Sequence, residues 1–377
     1  MAENDCICTF RIRDACASIA AFEAALAAAA NENCHVTLCS EETVPPYRRP
    51  ALSRMVAEEM SDTAFFFKQS SFYQERNITL ELGKKAVAVN REKKEVSFAD
   101  GSVLSYDRLV LATGGYAFVP PVPGAEYAHT LRNYADLQFF RKRLTEGVKE
   151  AVIIGAGVLG LELADSLVAK GCHVTLIEAK ERILSRNLDD NSARTIMEQL
   201  RTIPQITLKT CESVQKITAD SVVLERETLP SELTVFSTGI RSNVTLAAEA
   251  GLQVGHGIIV DEKMATSDPC IFSCGDAAEP ASGCCGLLGA AKNMGHIAGT
   301  NAAGGSEIYV PESYPIRLMA LGIKLFAAGK CDDAASEVTV DNGNYQRLTR
   351  NAAGALTGIV LIGDLKAAVK LQKELVC

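Results

Sequence analysis

The chain has 377 residues, 47% of them hydrophobic and 22% charged, enough for two or three domains with cores of their own. A formal net charge of −8 argues against a nucleic-acid partner, and no stretch approaches the roughly 18 uninterrupted apolar residues of a membrane span. Thirteen cysteines without the spacing of a disulfide framework, and an acidic Met-Ala-Glu-Asn-Asp opening with no basic-then-apolar leader, point to a reducing cytoplasm.

In chain order, Cys8-Thr-Phe-Arg-Ile-Arg13 reads as a poor strand, because Arg11 and Arg13 interrupt what should be a buried apolar run. Phe22-Glu-Ala-Ala-Leu-Ala-Ala-Ala-Ala30 is helix-like, alanine being the strongest helix former. His35-Val-Thr-Leu38 recurs as His173-Val-Thr-Leu176, each copy preceded by a cysteine and a helix-like stretch. That repetition predicts two βαβ nucleotide-binding units in one polypeptide. Between them, Ala86-Val-Ala-Val89 and Glu95-Val-Ser-Phe98 alternate like a hairpin around Arg91-Glu-Lys-Lys94. Tyr106-Asp-Arg-Leu-Val-Leu111 runs as a strand into Ala112-Thr113-Gly114, and Pro120-Pro-Val-Pro-Gly124 reads as a domain crossing.

The second unit carries the strongest motif. Ala151-Val-Ile-Ile154 enters Gly155-Ala-Gly157-Val-Leu-Gly160, a helix leaves through Leu161 to Val168, and Gly171 stops it. In this pattern the first glycine turns the chain, the second lets backbone N–H groups approach a pyrophosphate, and the third packs helix on sheet. Glu178 ends the following strand, where a carboxylate accepts both hydroxyls of an adenosine ribose and repels a 2′-phosphate. The site therefore reads as NAD rather than NADP.

Further on, Thr234-Val-Phe236 leads to Ser237-Thr238-Gly239, and Cys270-Ile-Phe-Ser-Cys274 leads to Gly275-Asp276. A small-residue helix from Leu287 to Ala303 is expected to return to the first unit. From Tyr309 onward, strand-like runs at Val338–Val340 and Leu356–Ile362 and a helix from Leu365 to Val376 predict a smaller α+β domain. Basic clusters at Tyr47-Arg48-Arg49, Lys84-Lys85, Arg91-Glu-Lys93-Lys94 and Arg141-Lys142-Arg143 each read singly as solvated charge. Together they suit docking of a small acidic electron carrier.

On these motifs the chain resembles the two-dinucleotide-binding-domain flavoproteins, the pyridine nucleotide–disulfide oxidoreductase superfamily. Within it, the likeness is to NADH–rubredoxin reductases and the flavin region of NADH-dependent nitrite reductases. Pro45-Pro-Tyr47-Arg-Arg49-Pro50-Ala-Leu-Ser53 is similar to the loop beside the flavin. Ala112-Thr113-Gly114 is similar to the motif returning the chain to FAD, and Ser237-Thr238-Gly239-Ile-Arg-Ser-Asn243 to a later one with proline usual at Ser242. Gly275-Asp276 matches the signature whose aspartate binds the FAD ribityl chain.

The resemblance implies an α/β fold of two Rossmann-like domains, for FAD and NAD, in three layers, with a small C-terminal α+β interface domain. The expected segments are 1–117 and 233–306 for FAD, 118–232 for NAD, and 307–377 for the interface domain. NADH, preferred over NADPH, would reduce FAD, which would pass electrons to a rubredoxin-like protein or another acceptor. Glu162 would lie near the nicotinamide; a solvated helix carboxylate is the alternative reading. The implied cofactor-binding set is Gly155, Gly157, Gly160, Glu178, Gly239, Ala15, Ala17, Glu41, Arg49, Pro50, Ala86, Thr113, Gly114, Gly275 and Asp276. No metal site is expected, and the assembly would be a monomer or a homodimer.

The first unit departs from the family. Counting back from Glu41, the implied ribose carboxylate, puts Ala15, Ala17 and Ala20 where three glycines belong. A register two residues earlier gives Arg13, Ala15 and Ser18. Asp14 sits where an N-cap would compete with a pyrophosphate for the helix N–H groups, and Arg13 can offset its charge. A flavin-free NAD-binding relative acting as sensor or structural subunit, and an NADH oxidase or peroxidase, are the alternative readings. Residues 47–60 contain none of the cysteines that redox-disulfide and peroxidase relatives carry there. Cys39, Cys270 and Cys274 read as buried thiols, while the vicinal Cys284-Cys285 in a glycine-flanked loop can oxidise or bind a soft metal.

Overall fold

A computed structural model describes residues 6–12, 17–330, 336–341 and 343–376. Its first sheet has five parallel strands, in the order Ile271–Ser273, Arg108–Leu111, Cys6–Ile12, Cys34–Ser40 and Ile78–Glu81. Cys6–Ile12 forms in spite of Arg11 because it pairs on both sides, Arg11 standing opposite Cys39 and Leu111. The alanine-rich helix, Ala17–Ala29, packs against Leu288–Ala302, the helix expected to return to this unit. Their backbones nearly touch. A methyl on Gly295 would lie 2.2 Å from the Ala20 carbonyl oxygen, and one on Gly299 2.1 Å from that of Ala24. Small residues at this crossing are therefore a packing requirement as well as a helix signal.

The second sheet is also parallel, in the order Ile206–Thr210, His173–Glu178, Glu150–Ile154 and Leu233–Phe236. Leu233–Phe236, which the sequence reading sets at the head of the return segment of the first domain, is a strand of this sheet. The strand pairs from Leu233 opposite Ala151 to Phe236 opposite Ile154. All four of its residues are buried, as a parallel strand covered on both faces requires. The crossing back follows Phe236. Gly171 (φ +82°) ends the helix Val158–Ala169, its N–H donating to the Val168 carbonyl.

The hairpin of Ala86–Asn90 with Glu95–Phe98 forms around residues 91–94 and gains a third strand, Val103–Ser105. The tail builds a five-stranded antiparallel sheet from Ile316–Ala320, Ile323–Gly329, Leu356–Ile362, Asn344–Arg350 and Ser336–Asp341. Its closing helix spans Ala368–Glu374, shorter than the sequence pattern suggested. One face of this sheet (Leu318, Leu325, Tyr345 and Ile362) shares a core with Leu161 and Ala164 of the helix Val158–Ala169. Two polar ties reinforce it: Leu321 N–H donates to Asp165 at 2.7 Å, and the buried Arg347 and Asp189 pair at 2.9 Å. No helix among the described residues is long and apolar enough to cross a membrane.

Candidate functional site

The glycine loop of the second unit separates structural from ligand demands. Gly155 has φ +110°, and a side chain there would sit 2.4 Å from the Ser237 carbonyl oxygen. A methyl on Gly160 would sit 2.2 Å from the Gly155 carbonyl oxygen. Around Gly157, the N-cap of the helix Val158–Ala169, nothing among the described residues lies within 4 Å of where a side chain would go. The fold itself demands glycine at the first and third positions. At the second, the open space is on the outer side of a helix N-terminus, whose free N–H groups suit an anion. Glu178 reaches back over the loop, one oxygen accepting Ala156 N–H at 3.2 Å and the other Lys180 N–H at 3.0 Å.

Three of the segments expected around the first dinucleotide come together. Thr113 donates its hydroxyl to the Asn243 carbonyl at 2.7 Å, and Asn243 N–H donates to the Gly114 carbonyl at 2.8 Å. Gly115–Ala117 and Ile240–Ser242 continue this junction as an antiparallel pair. Gly114 (φ +62°), Gly239 (φ +101°) and Gly275 (φ +69°) all adopt left-handed backbone. Ser242 donates its hydroxyl to the Asp276 carbonyl at 2.6 Å. Ala86 is buried at the start of its strand, and Pro50 is the exposed residue of the turn Arg49–Ala51. Ala17 opens its helix, whereas Ala15, with Arg13 and Asp14, lies outside the described residues.

Two features of this region were not read from the sequence. Asp276, 3% exposed, pairs with Arg132, 7% exposed, at 3.0 Å, and Arg132 also donates to the Gly115 carbonyl at 3.0 Å. Arg132 carries only a faint signal, a lone cation between Leu131 and the Asn133–Asp136 capping box. The acidic pair after Cys34–Ser40 divides its work. Glu41 faces outward to Lys85 at 3.1 Å. Glu42 turns inward, accepting from the Tyr47 hydroxyl at 2.9 Å, Arg49 at 3.0 Å and Tyr134 N–H at 3.1 Å. Arg49 is buried, and its Nε and Nη1 have no hydrogen-bond partner among the described residues. Burial pushes the Tyr47 hydroxyl far above the usual phenol range.

Glu162 bridges the two units. Its carboxylate accepts the Ser53 hydroxyl at 2.9 Å, and Ser166 donates to the Ser53 carbonyl at 2.7 Å. The helix leaving the glycine loop is thus fastened to the turn that follows Arg49 and Pro50. Burial raises the Glu162 carboxyl above its ordinary range, with Ser53 and the Arg54 charge pulling the other way. An acid whose folded pKa is raised is most favourable to folding while protonated, and its penalty grows as pH rises through that pKa. Glu162→Gln should therefore match the parent in thermal stability near pH 4 and exceed it at pH 8, by roughly 1–2 °C in Tm. A variant less stable at pH 8 would contradict this.

The cysteines divide by environment. Cys39 and Cys274 are buried, Cys270 is half-buried, and Cys284 and Cys285 are exposed. Among the described residues no three His, Cys, Asp or Glu side chains converge as a metal site.

Comparison with known proteins adds to this geometry. The family described as pyridine nucleotide-disulphide oxidoreductase matches residues 17–303. The rubredoxin-NAD(+) reductase of Pseudomonas putida is 33% identical over 252 residues, 64% of this chain and 65% of that protein. The ferredoxin–NAD(+) reductase component of the Burkholderia cepacia anthranilate 1,2-dioxygenase system is 30% identical over 373 residues, 90% of this chain and 86% of its own. Among solved structures, the ferredoxin reductase for the CYP199A2 system of Rhodopseudomonas palustris superposes with a TM-score of 0.86 at 26% identity, over 96% of this chain and 92% of that one. The chain spans between 45% and 65% of the length of the first curated relatives it matches.

Proposed function

The chain belongs to the pyridine nucleotide-disulphide oxidoreductase family, and from that premise we propose that it is an NADH-dependent flavoprotein reductase. It takes electrons from NADH through FAD to a small redox protein of the rubredoxin or ferredoxin kind. Two relatives, a rubredoxin-NAD(+) reductase and a ferredoxin–NAD(+) reductase component, support that class of acceptor. The cysteine content supports a cytoplasmic setting.

The observation that carries this reading is the Ser53–Glu162 hydrogen bond. It draws the helix behind the NAD loop onto the turn beside the residues assigned to FAD, so the reactive ends of two dinucleotides can meet there. The residues fit FAD on a second ground. Buried donors are almost always satisfied, and Arg49 holds two buried N–H-bearing nitrogens without a partner among the described residues, suited to phosphate or carbonyl oxygens. Arg49, Glu41, Thr113, Gly114, Gly239, Gly275 and Asp276 would hold the cofactor, with Pro50 and Ala86 lining the same region. Ala15 and Ala17 are assigned to its phosphate turn.

Bound FAD supplies the redox chemistry, accepting a hydride equivalent and releasing electrons singly or in pairs. The protein's own part is orientation and charge. Arg132 neutralises Asp276, Glu42 holds Arg49 in place, and the partly buried Glu162 can keep or take up a proton beside the nicotinamide. In the second unit, Gly155, Gly157 and Gly160 receive the pyrophosphate of NADH. Glu178 receives its ribose and turns away a 2′-phosphate by charge. Glu178→Gln should raise the ratio of kcat/KM for NADPH over NADH by about 10–100-fold. An unchanged ratio would remove Glu178 from that role.

The decisive experiment is a visible spectrum of the purified protein before and after anaerobic NADH. The reading expects flavin bands that bleach on addition. A colourless protein that also fails to take up added FAD overturns it. That result would favour the second reading, a flavin-free NAD-binding relative, for which the alanines at Ala15 and Ala17 speak.

A further inference from the structure

Cys284 and Cys285 stand next to each other in a segment without regular secondary structure, and both are exposed. Gly283 (φ +84°) and Gly286 (φ +65°) flank them in left-handed backbone. Nothing among the described residues lies within 4 Å of where a Gly283 side chain would be, so the loop has room to adjust. The Cys284 sulfur rests over Gly257, where a side chain would come within 2.9 Å of it, and meets the Ser242 hydroxyl at 3.7 Å. Among the other cysteines whose side chains are described, Cys34, Cys39, Cys172 and Cys274 are buried, Cys270 is half-buried, and Cys211 is exposed but isolated in the sequence.

We propose that Cys284 and Cys285 form a chelating dithiol site for trivalent, thiophilic arsenicals. The inference rests on the two thiols and is independent of the nucleotide reading. With an aryl arsenoxide the step balances without any oxidant or reductant. Two As–S bonds form, the arsenic–oxygen bond and both S–H bonds break, and the oxygen leaves with the two protons as water. Arsenic remains trivalent throughout. Because the second sulfur is tethered beside the first, its bond forms intramolecularly, and retention should exceed that of a single thiol by about 10²–10⁴-fold.

The surroundings favour condensation over other thiol chemistry. Although both residues are exposed overall, partial desolvation of the sulfurs raises both thiols above the usual range. The Glu279 and Asp276 carboxylates add to this at Cys284, and Asp276 at Cys285. Neutral thiols alkylate slowly, since the thiolate is the nucleophile, but they carry the protons that leave as water.

The test uses the purified full-length protein and phenylarsine oxide. The parent protein should keep one phenylarsenic group through desalting in excess monothiol and release it to 2,3-dimercaptopropanol. Peptide mapping should find it on the segment containing Cys284 and Cys285. Cys284→Ser and Cys285→Ser should each weaken retention by about 100-fold, while Cys211→Ser leaves it unchanged. No retained adduct on the parent, an adduct mapped to other cysteines, or full retention by either of the two serine variants overturns the proposal. Mapping on the parent decides the matter should a variant fold poorly.

Discussion

Gly160→Ala is expected to destroy the folded second unit, whereas Gly157→Ala is expected to leave the fold intact and weaken only nucleotide binding. The added atom is the same in both cases; the surroundings differ. At Gly160 the methyl would overlap the Gly155 carbonyl oxygen at 2.2 Å; the carbonyl is backbone and the methyl is fixed directly to the backbone, so neither can swing aside. Overpacking ordinarily costs about 1–3 kcal/mol, and a clash of backbone on backbone belongs at or above the top of that range. Gly155→Ala should be at least as severe, since it adds a contact at 2.4 Å with the Ser237 carbonyl to a backbone φ of +110°. At Gly157 the methyl meets nothing among the described residues within 4 Å and enters the space assigned to the pyrophosphate. Thermal melts with and without NADH separate the outcomes, because a ligand that binds only the folded state raises Tm with its concentration. Gly157→Ala should keep the parent Tm and lose most of the NADH-dependent rise. A Gly157→Ala protein that melts early, or a Gly160→Ala protein of parental stability, would break this division of labour.

The second large effect concerns the pair formed by Arg132 and Asp276. Both are nearly excluded from water, and they meet at 3.0 Å. Removing one partner leaves the other as an uncompensated buried charge, at a cost of about 3–5 kcal/mol. Arg132→Met and Asp276→Asn should each show that loss in denaturant titrations. The double variant, which buries no unpaired charge, should recover part of it, so that the two single losses do not add. Strictly additive losses would mean that the residues act separately. Arg132→Met should also lower flavin content, because Asp276 would no longer be held by its cation. Denaturation reads stability and absorbance reads flavin, so the two consequences are measured independently.

What the sequence discloses follows from how far each feature reaches along the chain. The loop at Gly155, Gly157 and Gly160 is legible because each glycine answers a demand made within a few residues, and Glu178 ends the very next strand of the unit. Arg132 is illegible for the opposite reason. Its burial depends on a carboxylate at position 276, and an isolated arginine in sequence looks like any surface cation. Glu41 and Glu42 are adjacent and chemically alike, so only folding reveals which one turns inward to Tyr47 and Arg49. Leu233–Phe236 is recognisable as a strand, but a buried run of four residues says nothing about which sheet it completes. The fastening of Glu162 to Ser53 joins two motifs that are each visible alone, while their meeting is not.

The shared core between the tail sheet and the glycine-loop helix has a bearing on how the chain is made. Leu161 and Ala164 of that helix are covered by Leu318, Leu325 and Ile362, which are synthesised long afterwards. At about 5–20 residues per second, the roughly 150 residues that intervene delay that cover by on the order of 10–30 s. During that interval the nascent second unit presents an uncovered apolar helix face to its surroundings. The residues assigned to NADH therefore reach their final support only after the strands of the tail sheet have been made.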